Sequence, residues 1–234
     1  MNIRKILILI LALPAFSAAV IPATAASAAN LDASLLHDLN PGPSGSQAEY
    51  FEPFGDRIFT AGRDSDGHEP WSFDATSAIQ LGDIAPGPHG SSVSQPTLLN
   101  GEVYFTANDE VHGTELWRTS GNGVQMVEDI NPGPDGSSTS SLEVMGNHVY
   151  VQNPSGRGPA LQERVMALDA DSGRVLWEYK FNIFQSDVPP HRVGWASPAA
   201  DPETGNVYAL SVGATVIALS ADGKPLWQRS IGEE

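Results

Sequence analysis

Three short stretches concentrate the side chains that do chemistry. Arg63 to His68 carries Asp64, Asp66 and His68. Asn108 to Gly113 carries Asp109, Glu110 and His112. Asp135 closes the run Asp129-x-Asn131-x-Gly133-x-Asp135-Gly136. Carboxylates gathered on loops offer hard oxygen donors, the type that Ca²⁺ takes six to eight at a time. The 129–136 run has the alternate spacing of a calcium loop. It lacks the bidentate Glu at the far end, and Pro132 and Pro134 stiffen it. Ser44 and His89 stand where its two sister segments should repeat Asp135. A repeated ion site keeps its ligand, so turns built from Asx and Gly residues are the preferred reading and Ca²⁺ the lesser one. The same weighing gives Asp169-x-Asp171-x-Gly173 to a tight turn.

Other chemistries find less. The six His residues (37, 68, 89, 112, 148, 191) are scattered, and His68-Glu69 is followed by Pro70-Trp71, so no H-E-x-x-H zinc site forms. There is no Cys, which removes disulfides, thiolate metal sites and thiol nucleophiles. No G-x-S-x-G elbow, phosphate loop or dinucleotide fingerprint occurs. A pair of carboxylates for glycoside hydrolysis stays open, because 28 acidic residues leave many pairs whose separation the sequence does not fix. The balance of 12 Lys+Arg against 28 Asp+Glu gives a net charge of −16. That excludes a nucleic-acid partner, which needs clustered cations, and disfavours anionic membrane surfaces.

The N-terminus is an address. Arg4 and Lys5 precede an unbroken apolar run from Ile6 to Leu13, and A-x-A patterns follow at 23–25 and 26–28. This is a secretory leader, residues 1–28, with cleavage near Ala25 to Ala29. The apolar core is shorter than the ~20 residues of a membrane span, and Pro14 and Pro22 interrupt it. Losing Arg4 and Lys5 takes the net charge from −16 to −18. The mature chain is therefore expected to be secreted or periplasmic, with no integral span.

The loops recur because the chain repeats. D-[IL]-x-P-G-P-x-G-S segments begin at Asp38, Asp83 and Asp129, in steps of 45 and 46. Between them, GDRIFTAGRDSDGHEPW (55–71) and GEVYFTANDEVHGTELW (101–117) repeat at 46. Periodicity within each unit is two: Val103 and Phe105 share a face and Tyr104 takes the other. Four short strands per unit, as in Val93–Leu99, Glu102–Ala107, Glu115–Thr119 and Val124–Ile130, at a period near 45, predict β-propeller blades. After Val151 the unit changes. RVMALDADSGRVLWEY (164–179) and TVIALSADGKPLWQR (215–229) place Trp177 and Trp227 50 residues apart.

Residues 35–151 resemble ELWxxDGT-type (hyalin-like) repeat proteins through Glu115-Leu116-Trp117, Glu69-Pro70-Trp71 and the PGPxGS segments. Residues 164–229 resemble the pyrroloquinoline-quinone-type (PQQ-like) propeller repeat through Ala167, Asp169, Ser172, Gly173 and Trp177. In the second copy Ser220 replaces the Asp. The first segment (30–151) and the second (152–234) are read as one propeller. The expected fold is all-β, about four four-stranded antiparallel blades at 47–84, 93–130, 140–181 and 194–231. A spare strand at Ala33–Leu39 is expected to lock the ring. A closed or nearly closed ring is preferred over an open arc of a larger propeller. The four repeated Trp residues are expected to pack between blades.

Full quinoprotein dehydrogenases, which the second half resembles, hold a quinone with calcium. Only two such repeats occur here and the catalytic Asp cannot be assigned, so PQQ is not expected and no cofactor is assigned. The sequence reads as a non-catalytic binding module, its face formed by Asp64, Asp66, His68, Asp109, Glu110, His112 and Asp135. A protein or glycan of the cell surface or envelope is the expected partner. The alternative is a degenerate PQQ-like enzyme or an envelope assembly scaffold.

Overall fold

A computed structural model describes residues 34–120, 123–130, 133, 142–183, 193–194 and 196–231. Two compact units divide between Leu35 and Leu36, and the second holds every strand described below. Four antiparallel sheets of four strands follow one another along the chain. Sheet 1 comprises β1 (Glu49–Phe54), β2 (Arg57–Asp64), β3 (Gly67–Phe73) and β4 (Ala78–Gln80). Sheet 2 comprises β5 (Ser94–Leu99), β6 (Glu102–Asn108), β7 (Thr114–Ser120) and β8 (Gly123–Glu128). Sheet 3 comprises β9 (Glu143–Met145), β10 (His148–Ser155), β11 (Gln162–Asp169) and β12 (Val175–Asn182). Sheet 4 comprises β13 (Ala199–Ala200), β14 (Val207–Leu210), β15 (Thr215–Leu219) and β16 (Pro225–Ser230). Strand order within each sheet is the chain order, the up-and-down weave of a propeller blade. The fold is all-β and of the β-propeller class, as the repeat predicts.

Middle strands are buried on both faces, which is why they read as nearly continuous apolar runs. In β6, Val103, Phe105 and Ala107 join Phe59 and Ala61 of β2 in the core between sheets 1 and 2. Tyr104 and Leu116 turn the other way, into the core with Val149, Val151, Met166 and Leu168 of sheet 3. Tyr150, Val165 and Ala167 then face Val207, Ala209, Ile217 and Leu219 of sheet 4. Among the described residues no core cluster joins sheet 4 to sheet 1.

The spare strand does not form. Leu36 to Leu39 has no strand structure, Ala33 lies outside the described residues, and sheet 4 supplies its own outer strand. Two contacts hold this segment against sheet 1 instead of at a sheet edge. Asp74 O accepts from His37 Nε2 at 2.7 Å, and Leu39 lies so close over Gly62 that a Cβ there would sit 3.1 Å from its methyl carbon.

One polar device repeats between blades. Glu69, Glu115 and Glu163 are 0% exposed. Each carboxylate accepts backbone N–H from the chain that crosses to the next sheet, and Glu163 also from the β14–β15 turn. Glu69 takes Ile84 N (3.1 Å), Ala85 N (3.3 Å), Ser91 N (2.9 Å) and the Ser91 hydroxyl (2.7 Å). Glu115 takes Ile130 N at 2.7 Å. Glu163 takes Gly194 N (3.0 Å) and Val212 N (3.0 and 3.1 Å). The connection after sheet 1 is irregular and holds Pro86 and Pro88, so its buried amides have no ladder to join. An unpaired buried amide is costly, and a carboxylate satisfies several with charge-assisted bonds. Burial pushes the Glu69 pKa up, while its four donors pull it back.

Glu69→Gln keeps the shape but turns an amide toward N–H donors. It is expected to lower the unfolding free energy by about 1–3 kcal/mol, read by urea denaturation. Glu110→Gln, on an exposed turn, is the control and is expected to change it by less than about 0.5 kcal/mol.

Candidate functional site

The turns that carry the acidic residues lie at the end of the blades where each sheet hands over to the next. The β2–β3 turn meets the 84–91 connection so closely that two glycines are required. A Cβ on Gly67 would sit 2.5 Å from Gly87 O, and one on Gly90 would sit 2.0 Å from His68 N; their φ angles are +112° and +72°. Ser91 N donates to His68 O at 3.0 Å, and Asn108 N to Ser91 O at 2.8 Å. The connection is thus stitched to both neighbouring turns.

Most of the acidic side chains are occupied with their own turns. Asp64 Oδ1 accepts Asp66 N at 2.8 Å. Asp109 Oδ1 accepts Val111 N at 3.0 Å and His112 N at 2.7 Å, and its Oδ2 meets His112 Nδ1 at 2.6 Å. Glu110 is exposed and sits at φ +65°. Asp169 Oδ1 takes Ser172 N and its hydroxyl, the turn role expected for it. Asp135 lies outside the described residues. Among the described residues no group of three or more His, Asp or Glu side chains is placed to hold a metal ion.

Of these residues, His68 alone lines a groove. About 540 Å³ in volume, the groove runs between the first strands of sheets 1 and 2, lined by Gln47, Glu49, Tyr50, Arg63, His68, His89, Ser92, Val93 and Ser94. Both strands are bulged here, β1 between Glu49 and Glu52 and β5 between Ser94 and Thr97. Tyr50 (+58°) and Gln95 (+56°) within the bulges, and Gln47 (+48°) and Ser92 (+53°) just before the two strands, adopt left-handed backbone conformations. Such residues are strained by about 1–3 kcal/mol each and gather where a site is shaped. Bulges likewise re-aim side chains at rims.

Two nitrogen-bearing side chains, Arg63 and His68, are fixed within it. Arg63 donates through Nη1 to Pro88 O at 2.9 Å, and its buried Nε has no hydrogen-bond partner among the described residues. His68 Nε2 lies 3.4 Å from Glu49 Oε1. Burial lowers the His68 pKa, opposed by Glu49 and reinforced by Arg63, so the ring is neutral at neutral pH. The groove therefore offers one fixed guanidinium, the imidazoles of His68 and His89, one carboxylate and several hydroxyls. That set makes directional hydrogen bonds to a polar ligand.

The sequence points to His68 and misses its neighbours. Arg63, Glu49, Tyr50 and Ser92 come together only through pairing and bulges. It also passes over Glu69, Glu115 and Glu163. Their signal is legible in hindsight: the first two stand two residues before Trp71 and Trp117 in the repeated unit, a charge fixed in an apolar strand.

The family model described as outer membrane protein assembly factor BamB (PQQ_2) matches residues 47–182 and 161–234. This chain belongs to that PQQ-like propeller family. The match starts at 47 and so also covers the blades whose motifs resemble ELWxxDGT repeats. No curated protein matches the chain. Among solved structures, a europium-containing methanol dehydrogenase is 14% identical with a TM-score of 0.51 over 76% of this chain and 40% of its own. Apo AztD from Citrobacter koseri is 14% identical (TM-score 0.47, 79% and 47%). Quinohemoprotein alcohol dehydrogenase from Comamonas testosteroni is 15% identical (TM-score 0.46, 79% and 35%). The chain spans less than half the length of each. The methanol dehydrogenase likeness shows the fold. Among the described residues no helix is long and apolar enough to cross a membrane.

His112 is the clearest titrating group of the turns. Its hydrogen bond to Asp109 raises its pKa above 6.5. Burial works against ionisation of Asp109, but the His112 ring and the two amides outweigh it and hold that carboxyl low. A raised folded pKa means the pair's contribution is full below pH 6.5 and is lost as pH rises through the folded value. Asp109→Asn is expected to bring the His112 midpoint down toward 6.5, followed by NMR of the imidazole protons.

Proposed function

We propose that the protein is an exported binding module of the cell envelope. It uses the end of the propeller that carries the β1–β5 groove to hold a protein or glycan partner. The groove carries this reading: three strained residues (Gln47, Tyr50 and Ser92), a fixed Arg63 and a neutral His68 converge where the surrounding turns are already internally satisfied. The family's description as an outer membrane assembly factor supports an envelope role and a scaffold within it. The leader at 1–28 supports export. The first two sheets are read as ELWxxDGT-type blades within the same propeller, and Asp109, Glu110 and His112 as the outer margin of the contact face.

A non-catalytic role is favoured by the donor set. Glu49 is the single carboxylate lining the groove, and the turn aspartates beside it already hold backbone amides. That does not suit a calcium-held quinone. The residues supply hydrogen bonds and a charge to orient a ligand, and no nucleophile paired with a base is needed.

The test is site-specific photo-crosslinking in envelope fractions. A photoreactive residue at Ser92, exposed at the groove, is expected to give a discrete adduct that Arg63→Ala abolishes. The same probe at Ala75, on the turn at the opposite end of blade 1, is expected to give none. Equal labelling from both positions defeats the proposal. So does dye-linked alcohol oxidation by protein loaded with Ca²⁺ and PQQ.

A further inference from the structure

The repeated Trp residues were expected to pack between blades. Trp117 does, against the core of sheets 1 and 2. Trp71 lies beside Gly62 under Leu39, and Trp227 is 44% exposed. Trp177 closes one end of the space between sheets 3 and 4. It stacks on Tyr150, with ring centroids 6.0 Å apart. It covers Gly223, where a Cβ would meet the indole at 2.5 Å, and its Nε1 donates to Ala221 O at 2.9 Å. The other end of the same space is built differently.

The outer strands of sheets 1 and 3 leave their ladders at different heights. β4 stops at Gln80, opposite Trp71, and the chain beyond it buries Leu81 and Ile84 between sheets 1 and 2. β12 stays paired as far as Asn182, opposite Gln162. A groove of about 300 Å³ stands between these strand ends and the beginning of β15, at the lower bound of small-molecule sites. Its base is apolar, formed by the buried Ile217 and Phe181, and Tyr179 lies beside Phe181 with ring centroids 6.1 Å apart. Its sides are polar and uncharged: Gln162, Asn182, Ser211, Thr215 and Gln228. Gln228 stands opposite Ile217 in the β15–β16 ladder and so shares its side of the sheet, toward sheet 3.

These polar groups are partly fixed and partly unspent. Gln162 Nε2 donates to Asn182 Oδ1 at 2.8 Å. That bond orients both carboxamides and leaves the Gln162 Oε1 acceptor and the Asn182 Nδ2 donors available. Ser211 Oγ accepts Gly213 N at 2.9 Å, and its own proton remains to donate. The Thr215 hydroxyl and the Gln228 carboxamide make no hydrogen bond among the described residues. Lys180 is the one charged residue of the lining, and Glu178 holds it at 3.0 Å. In a chain with 28 acidic residues, this groove is lined without a carboxylate.

The donor set selects a ligand class. A carboxamide donates and accepts from adjacent atoms, which complements neighbouring hydroxyls on a sugar ring, each of them both donor and acceptor. The C–H face of the same ring suits the electron-rich face of an aromatic side chain. A charged ligand would find no free counter-charge here, and an apolar one would strip water from five polar side chains without replacing its hydrogen bonds. We infer that this groove binds a neutral saccharide, held by Gln162, Asn182, Gln228, Ser211 and Thr215 against Tyr179. It shares no lining residue with the β1–β5 groove and stands without the proposed function.

Saturation-transfer difference NMR of the full chain tests this, with maltose, cellobiose, lactose and N,N′-diacetylchitobiose each at millimolar concentration. Wild type is expected to transfer saturation to the ring protons of at least one of them. Gln162→Ala combined with Gln228→Ala is expected to lose that signal, and Arg63→Ala, in the other groove, to keep it. Circular dichroism and melting temperature report whether the double variant folds. Should it misfold, Thr215→Val removes a hydroxyl at nearly constant shape in a strand and is expected to weaken the signal. Silence from all four sugars overturns the inference. So does a signal that survives in the folded double variant, or in Thr215→Val where that replaces it, and so does one that Arg63→Ala abolishes, which places the sugar in the β1–β5 groove. An equal signal from the peptide acetyl-Gly-Ser-Gly-Ser-amide, lost in the same variant, marks a peptide site and overturns the saccharide assignment.

Discussion

A propeller blade can end wherever its outer strand ends, but the chain must then cross to the next sheet through the interior without a ladder to occupy its amides. That constraint governs this structure. A buried amide without an acceptor costs more than most apolar contacts return. Here one glutamate on the third strand of each of the first three blades accepts backbone N–H from the crossing segment, Glu69 through both oxygens. The solution explains several otherwise separate features. Ile84 and Ile130 point into the cores at the points where their own N–H groups are tethered. Gly67 and Gly90 are needed because the tethered segment lies flush on the turn beside it. Ala214, one step before β15, stands where blade 4 would carry the matching acid.

Cohesion between blades then rests on apolar burial interleaved with a few directional bonds. Tyr104 donates its hydroxyl to Ala170 O, and Arg118 reaches the same carbonyl. Asn100 donates to Asn147 at 2.6 Å. Gln152 donates to Leu210 O at 2.9 Å. These bonds fix how each blade is seated on the next, while the alternating Val, Phe, Tyr and Leu residues supply the area removed from water. The same arrangement leaves the end faces as the least satisfied part of the molecule. A sheet face built to be covered is apolar whether or not a neighbour follows it.

The groove owes its shape to departures from regular structure. The bulges in β1 and β5 lift residues out of the ladder and force left-handed backbone on side-chain-bearing residues. Strain of this kind persists only where surrounding structure over-determines it. Here the connection pinned by Glu69 provides that surrounding structure on one side of the groove. Arg63 is held to the same connection through Pro88 O. The site and the crossing segment are therefore mechanically linked, and the Glu69 carboxylate supports both.

Much of the architecture was readable from residue order alone. Spacing near 45, alternation as in Glu102–Asn108 and turn residues at fixed offsets are local properties, and they set the number of sheets, their strand order and most strand ends within two residues. The turn role of Asp169 was equally local, since an Asx side chain reaches its own amides two or three residues on; Asp109, expected on the contact face, holds its own turn in the same way. Other features required the folded chain. Glu69 looks like a surface charge until the 84–91 segment is folded over it. Arg63, Glu49 and Ser92 meet only because two bulged strands from different blades run side by side. Trp177 and Trp227 are equivalent in sequence, yet one is covered and the other bare, because burial depends on what lies across the sheet and not on neighbours in the chain.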